Sequence, residues 1–119
     1  MGTLQVSAAP PLSAGVTFHS ETYRGVPFTI VWVDLGQAEL ELFWKYPDNR
    51  PFQNFANLES WLGTQGKTLV VATNSGIYAE DRTPLGLHIT QGRELRRLNP
   101  HKGGKSNFAL KPNGVFYID

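Results

Sequence analysis

An α+β fold is what this sequence predicts, mostly antiparallel sheet with one amphipathic helix at about 54–65, and three observations predict it. Runs rich in β-branched and aromatic residues recur along the chain, tight Gly-containing turns join them, and a single stretch changes to helical spacing. Val16 to Ser20, running into Tyr23, opens as a strand and meets a turn at Arg24-Gly25. Val26 to Leu35 (VPFTIVWVDL) is the strongest strand signal of the first half. Gly36-Gln37 then connects to Ala38–Tyr46, where Leu40, Leu42 and Trp44 alternate with Glu39, Glu41, Phe43 and Lys45, the pattern of a strand with one covered face. Together these segments predict an antiparallel meander.

Pro47 to Pro51 breaks the sheet, and the period changes. Phe55, Leu58, Trp61 and Leu62 fall on one helical stripe, with Asn54 as the N-cap and Gly63 and Gly66 bracketing the stop. The stripe reads as core contact. Lys67–Thr73 (KTLVVAT) reads as a buried strand because Leu69 to Ala72 is unbroken apolar sequence. Leu85 to Thr90 alternates, Gln91-Gly92 turns, and Leu95 with Leu98 fits a short strand or turn. Asn107–Leu110 is expected to pair with Gly114–Ile118 through a Lys111-Pro112-Asn113-Gly114 turn, proline presetting its second position.

The 119 residues are 40% hydrophobic and 18% charged, an ordinary globular balance, and one domain is expected over 15–119 after a flexible lead-in at 1–14. With no cysteine, thiol nucleophiles, zinc-thiolate centres, iron–sulfur clusters and disulfide scaffolds are excluded. No signal peptide is visible, a myristoylation pattern fails at Val6, and no segment has the roughly 20 apolar residues that span a bilayer. The net charge of +1 gives no reason to expect nucleic acid, but its distribution is uneven. Residues 1–81 carry eight acidic and four basic side chains, whereas 82–111 carry seven basic and one acidic. Arg82, Arg93, Arg96, Arg97, Lys102, Lys105 and Lys111 form a basic third suited to a phosphate-bearing ligand or to a solvated face.

Asn74-Ser75-Gly76-Ile77-Tyr78 is a polar break after a strand-like run, either a turn satisfying its own backbone or a ligand loop in which Asn74 offers both donor and acceptor. Glu80-Asp81 places two carboxylates side by side, but neighbours on an extended chain point apart, so they do not flank one bond by themselves. His88 sits in the alternating strand between Leu87 and Ile89 and projects opposite to both. Its distance in sequence from His19 and His101, and the lack of helical His spacings, leave a transition-metal site with weak support. Gly103-Gly104-Lys105-Ser106 lacks the first glycine and the helix of a phosphate loop.

As an ordered series, Leu69–Tyr78, Thr83–Ile89 with Gly92, Leu98-Asn99 and Asn107–Phe116 resembles the phosphodiester glycosidase family, the superfamily of the lysosomal uncovering enzyme and of bacterial envelope proteins. Asn74, Gly76 and Tyr78 match its Asn-Ala/Gly-Gly-aromatic block, Pro84 and Gly86 its Pro-x-Gly block, Asn107-Phe108 its Gly-Asn-Phe block, and Asn113-Gly114 the following hairpin. Ser75 and Lys105-Ser106 depart from those blocks, and a Leu-Asp-Gly-Gly-x-Ser-like block has no match, so the resemblance covers the N-terminal half of the family domain.

The resemblance implies release of a sugar from a phosphodiester, with weak activity from the half represented, and a periplasmic or extracellular place. In that reading Asp81 is the acid, base or cation ligand, and Asn74, Gly76, Tyr78, Gly86, Arg82, Asn107 and Asn113 bind substrate. No cofactor is required; a divalent cation is compatible with Asp and amide oxygens, though no full ligand set is present. The alternatives are a non-catalytic carbohydrate- or phosphate-binding module, and an interaction subunit pairing an open sheet edge with a second copy or with a missing C-terminal half.

Overall fold

The computed structural model describes residues 14–100, 103 and 114–118, and shows a mixed α+β fold in which the described strands pair antiparallel and one helix is present. The chain divides into two compact units, residues 1–40 and 41–119. In the first, β1 (Val16–Tyr23) and β2 (Val26–Val33) form a hairpin in continuous register from Tyr23↔Val26 to Val16↔Val33. Its two-residue turn, Arg24-Gly25, has positive φ at both positions (49° and 79°), the backbone of a type I′ turn that matches strand twist. The Asp34 amide donates to the Gly15 carbonyl at 2.7 Å, extending the ladder by one more pair. The side chains of Phe18, Phe28 and Trp32 are exposed, Trp32 at 63%.

In the second unit, α1 (Phe55–Thr64) begins where sequence places it. Asn54 adopts extended backbone and its Oδ1 accepts from the Asn57 amide at 2.8 Å, satisfying one of the orphan donors of the first turn. Gly66, at φ 72°, ends the helix. Its amide donates to the Gly63 carbonyl, and the Lys67 amide donates to the Leu62 carbonyl at 3.0 Å, the paired reverse bonds of a Schellman stop.

Leu58 and Leu62 of the helix and Phe52 before it are the buried core, with Phe43, Tyr46, Trp61 and Leu69 packed around them. Ring centroids lie 4.1 Å apart for Tyr46 and Phe52 and 5.3 Å for Phe52 and Trp61. Such aromatic pairs add roughly 0.5–1.5 kcal/mol each beyond area burial. Phe55 departs from the expected stripe: it stands 52% exposed, because the first turn of the helix overhangs this core.

The remaining strands are β3 (His88–Thr90) and β4 (Arg93–Arg96), joined across Gln91-Gly92, both in positive φ, with an irregularity between His88 and Ile89. Two expected strands are corrected. Among the described residues, Ala38–Tyr46 forms no ladder beyond one bridge, Lys45 to Pro51, and Lys67–Thr73 has no strand partner, Val71 being 42% exposed. Residues 114–118 are exposed, and their expected partner at 107–110 lies outside the described residues. Alternation identifies residues able to form a strand, but the ladder itself needs a partner edge from elsewhere in the chain. The three-strand meander is accordingly a two-stranded hairpin.

His88 is buried and Ile89 45% exposed, so these two neighbours lie on opposite sides, while Leu85 and Leu87 before them are half-buried. His88 is 5% exposed and its ring meets Trp44 edge-on at 6.1 Å. Neither His88 Nε2 nor Trp44 Nε1 has a hydrogen-bond partner among the described residues. Burial disfavours the imidazolium and holds the His88 pKa below its ordinary 6.5. The unfolded chain therefore binds a proton that the folded chain refuses, and stability present at neutral pH begins to be lost as pH falls below the ordinary 6.5 towards the lowered folded value. The urea midpoint should fall between pH 7.5 and 5.5 in the natural protein and change little over that range in His88→Leu. An equal slope in both proteins would show that His88 is not the group responsible.

Candidate functional site

Three of the sequence-predicted residues share one small hairpin. The Leu85 amide donates to the Ile77 carbonyl at 3.0 Å, Tyr78 bridges Pro84, and the Ala79 amide donates to the Thr83 carbonyl at 2.9 Å. The turn closes with the Arg82 amide donating to the Ala79 carbonyl at 2.9 Å. Arg82 has φ 68°, the left-handed bulge position that glycine usually takes, at a steric cost of about 1 kcal/mol. What holds it there is visible in its side chain. Arg82 Nη1 donates to the Gln53 carbonyl at 3.2 Å, and its guanidinium carbon lies 5.8 Å from the Tyr78 ring centroid. Gln53 is itself left-handed, at φ 67°. Two strained residues thus meet across a hydrogen bond, a concentration of backbone strain typical of functional sites.

Asp81 completes the turn: its Oδ1 accepts from the Thr83 amide at 2.9 Å. That backbone bond, then the Thr83 side chain, and also the charge of Arg96 hold the Asp81 carboxyl below the usual carboxylate range. Asp81 is exposed and ionised at neutral pH, which suits it to accept a hydrogen bond, act as a base or ligate a cation. Arg96 stands on β4, where it pairs with His88, and sequence carried no sign that this arginine among seven basic residues would bring its charge to bear on Asp81. It also lines an open depression of about 390 Å³ bounded by Leu95–Pro100. Arg97, alongside, lies 3.7 Å from Glu94.

The other predicted residues are placed less closely. Gly86 follows the hairpin, half-buried. Asn74 is exposed upstream, its Oδ1 3.5 Å from Thr73 Oγ1, and Gly76 has open space where a Cβ would stand. Asn107 and Asn113, like Lys102, Lys105 and Lys111, lie outside the described residues. Among the described residues no three His, Asp or Glu side chains gather to hold a metal ion, and no helix is long and apolar enough to cross a membrane. Gln53 was invisible as a site residue in sequence, since only its backbone takes part.

Glycine at 82 would release the left-handed strain but lose the contacts to Gln53 and Tyr78 and add unfolded-state entropy, terms that nearly cancel. Arg82→Gly should therefore stay within about 1 kcal/mol of the natural chain in urea unfolding. Arg82→Val, β-branched at the same φ, should lose more than about 1 kcal/mol. The reverse order would mean that the turn does not depend on backbone conformation at 82.

No family model matches this chain, and no solved structure does. The uncharacterized protein YigE of Escherichia coli (strain K12) is similar to it, 33% identical over 79 residues, which are 66% of this chain and 30% of that protein. The chain therefore spans less than a third of the length of the curated relative it matches.

Proposed function

We propose that this chain is phosphodiester glycosidase-like and binds a sugar carried on a phosphate or phosphodiester at the Tyr78–Thr83 hairpin. The observation that carries the reading is that Tyr78, Asp81 and Arg82 share one hairpin, with the positive charge of Arg96 felt at Asp81, because these groups match the parts of such a ligand. A guanidinium forms paired charge-assisted bonds with phosphate oxygens. An aromatic ring covers the apolar face of a sugar, and an ionised carboxylate accepts from its hydroxyls. Arg82 and Arg96 would stabilise charge developing on a phosphate leaving group, the kind of electrostatic assistance that contributes most where donors are fixed in advance. The resemblance of the Asn74–Tyr78 and Pro84–Gly86 blocks supports the same ligand class, and a periplasmic or extracellular setting belongs to the same proposal.

A second reading, a binding module without turnover, is favoured by the state of Asp81. An ionised carboxylate cannot donate the proton that most glycosidic leaving groups need, and a base or nucleophile is also required on the opposite face of the sugar. Glu80 adjoins Asp81 in sequence and shares its turn. Binding is therefore expected to outlast catalysis in this chain.

Titration of the labelled full chain with N-acetylglucosamine 1-phosphate, and separately with inorganic phosphate, should shift the amides of Tyr78 to Thr83 and of Arg96. Arg82→Ala should weaken binding about tenfold or more, the loss expected for a charged hydrogen-bonding group. Hydrolysis of an N-acetylglucosamine phosphodiester should be slow or absent. Shifts confined to residues 14–40 would overturn the ligand assignment, and rapid hydrolysis abolished by Asp81→Asn would overturn the binding-module reading in favour of the enzyme.

A further inference from the structure

We infer that a second copy of this chain pairs with β2, antiparallel and centred on Val31, to make a four-stranded sheet β1-β2-β2′-β1′. The parity of the ladder shows which groups are on offer. Tyr23↔Val26 closes the two-residue turn and the Asp34 amide reaches Gly15, so Val26, Phe28, Ile30 and Trp32 direct their amides and carbonyls at β1. The intervening residues, Pro27, Thr29, Val31 and Val33, face outward, on an edge that no described strand covers. An isolated two-stranded hairpin is marginal in water, and a third strand with an apolar face is what gives such a unit independent stability.

Why the occupant is a second copy follows from the chemistry of the edge. β2 (VPFTIVWV) carries no charge, so it meets its own image without opposing like charges, whereas β1 brings Glu21 and the polar pair Ser20 and Thr22. Pro27 has no amide to donate, which penalises any register centred on Thr29, because that would place Pro27 opposite Val31′. Beyond Val33 the Asp34 carbonyl accepts from the Gln37 and Ala38 amides and the chain turns away, which penalises a register centred on Val33. Centring on Val31 avoids both: Val31 faces Val31′, and Thr29 faces Val33′, with donors and acceptors matched at the outward positions from Thr29 to Val33.

The same register covers the exposed apolar surface. On one face Trp32, 63% exposed, falls opposite Ile30′, 36% exposed, and the twofold axis repeats the pair. Aromatic and β-branched residues directly opposed are among the favourable cross-strand combinations. With Phe28 and Val26 at 47% and 53% exposure, this face presents apolar surface on the order of several hundred Å², the size that marks association sites.

The absence of cysteine makes the test clean. The purified full chain should sediment with a concentration-dependent approach to twice the chain mass, and amides of Thr29, Val31 and Val33 should gain exchange protection as concentration rises. In Val31→Cys the two new thiols fall on the twofold axis, at the Cα spacing of about 5.5 Å that suits a disulfide, so mild oxidation should give covalent dimer. Ser20→Cys, on the outer edge of β1, should not. Val31→Pro removes the outward amide without touching the β1 ladder and should raise the dimer dissociation constant about tenfold or more. The inference is overturned by a monomer at all concentrations, by a dimer in which Val31→Cys fails to cross-link, or by edge protection that appears only when a different polypeptide is supplied.

Discussion

Within residues 41–100, the backbone reversal at Gln53 is the constraint on which most other features depend. Its left-handed φ of 67° lets Phe52 turn into the core while the next residue, Asn54, is already extended and capping the helix. Two neighbours in sequence thus serve opposite ends of one junction. The Phe52 amide donates to the Trp44 carbonyl at 3.0 Å, and its carbonyl accepts from the Asn54 amide and from Asn57 Nδ2, each at 2.8 Å. Burying Phe52 without those bonds would strand two backbone groups at a cost of about 1–3 kcal/mol each. The free carbonyl of Gln53 then becomes the acceptor for Arg82, so the strain that seats the core also positions the candidate site.

What sequence made legible divides along the range of the interactions. The helix and its cap depend on residues within a few positions of one another, and so does the β1–β2 hairpin with its Arg24-Gly25 turn. Both stand where periodicity and turn chemistry put them. Ala38–Tyr46 and Lys67–Thr73 carry equally good local signals, yet a strand exists only where a partner edge arrives, and none does among the described residues. Phe55 shows the same limit within a helix. Its spacing is right for the apolar stripe, but the first turn extends past the small core formed by Phe52, Leu58 and Leu62.

The candidate site repeats the division. Tyr78, Asp81 and Arg82 are legible because they lie on one hairpin, and their sequence spacing is already their spatial relation. Gln53 reaches it from 29 residues before Arg82 and the charge of Arg96 is felt there from 14 after, through backbone geometry and pairing that no motif encodes. His88 marks a different limit: alternation sets it opposite Ile89, but which of the two is buried depends on neighbours in space such as Trp44, whose ring meets the imidazole edge-on.

Asp81 shows how a structural role narrows a chemical one. The Thr83 amide that donates to its Oδ1 in the turn stabilises the anion, and the charge of Arg96 adds to the same effect, so the features that fix the carboxylate in place also keep it deprotonated. A proton donor needs the opposite surroundings, with burial and no positive neighbour. Whatever chemistry occurs at this hairpin must therefore draw on its cations to stabilise negative charge, and on Asp81 as an acceptor. For a phosphate that departs as a stable anion the absence of an acid is the smaller deficit. For a sugar joined to an ordinary alcohol it would be decisive, so the proposed phosphate-linked ligand asks less of this hairpin than a plain glycoside would.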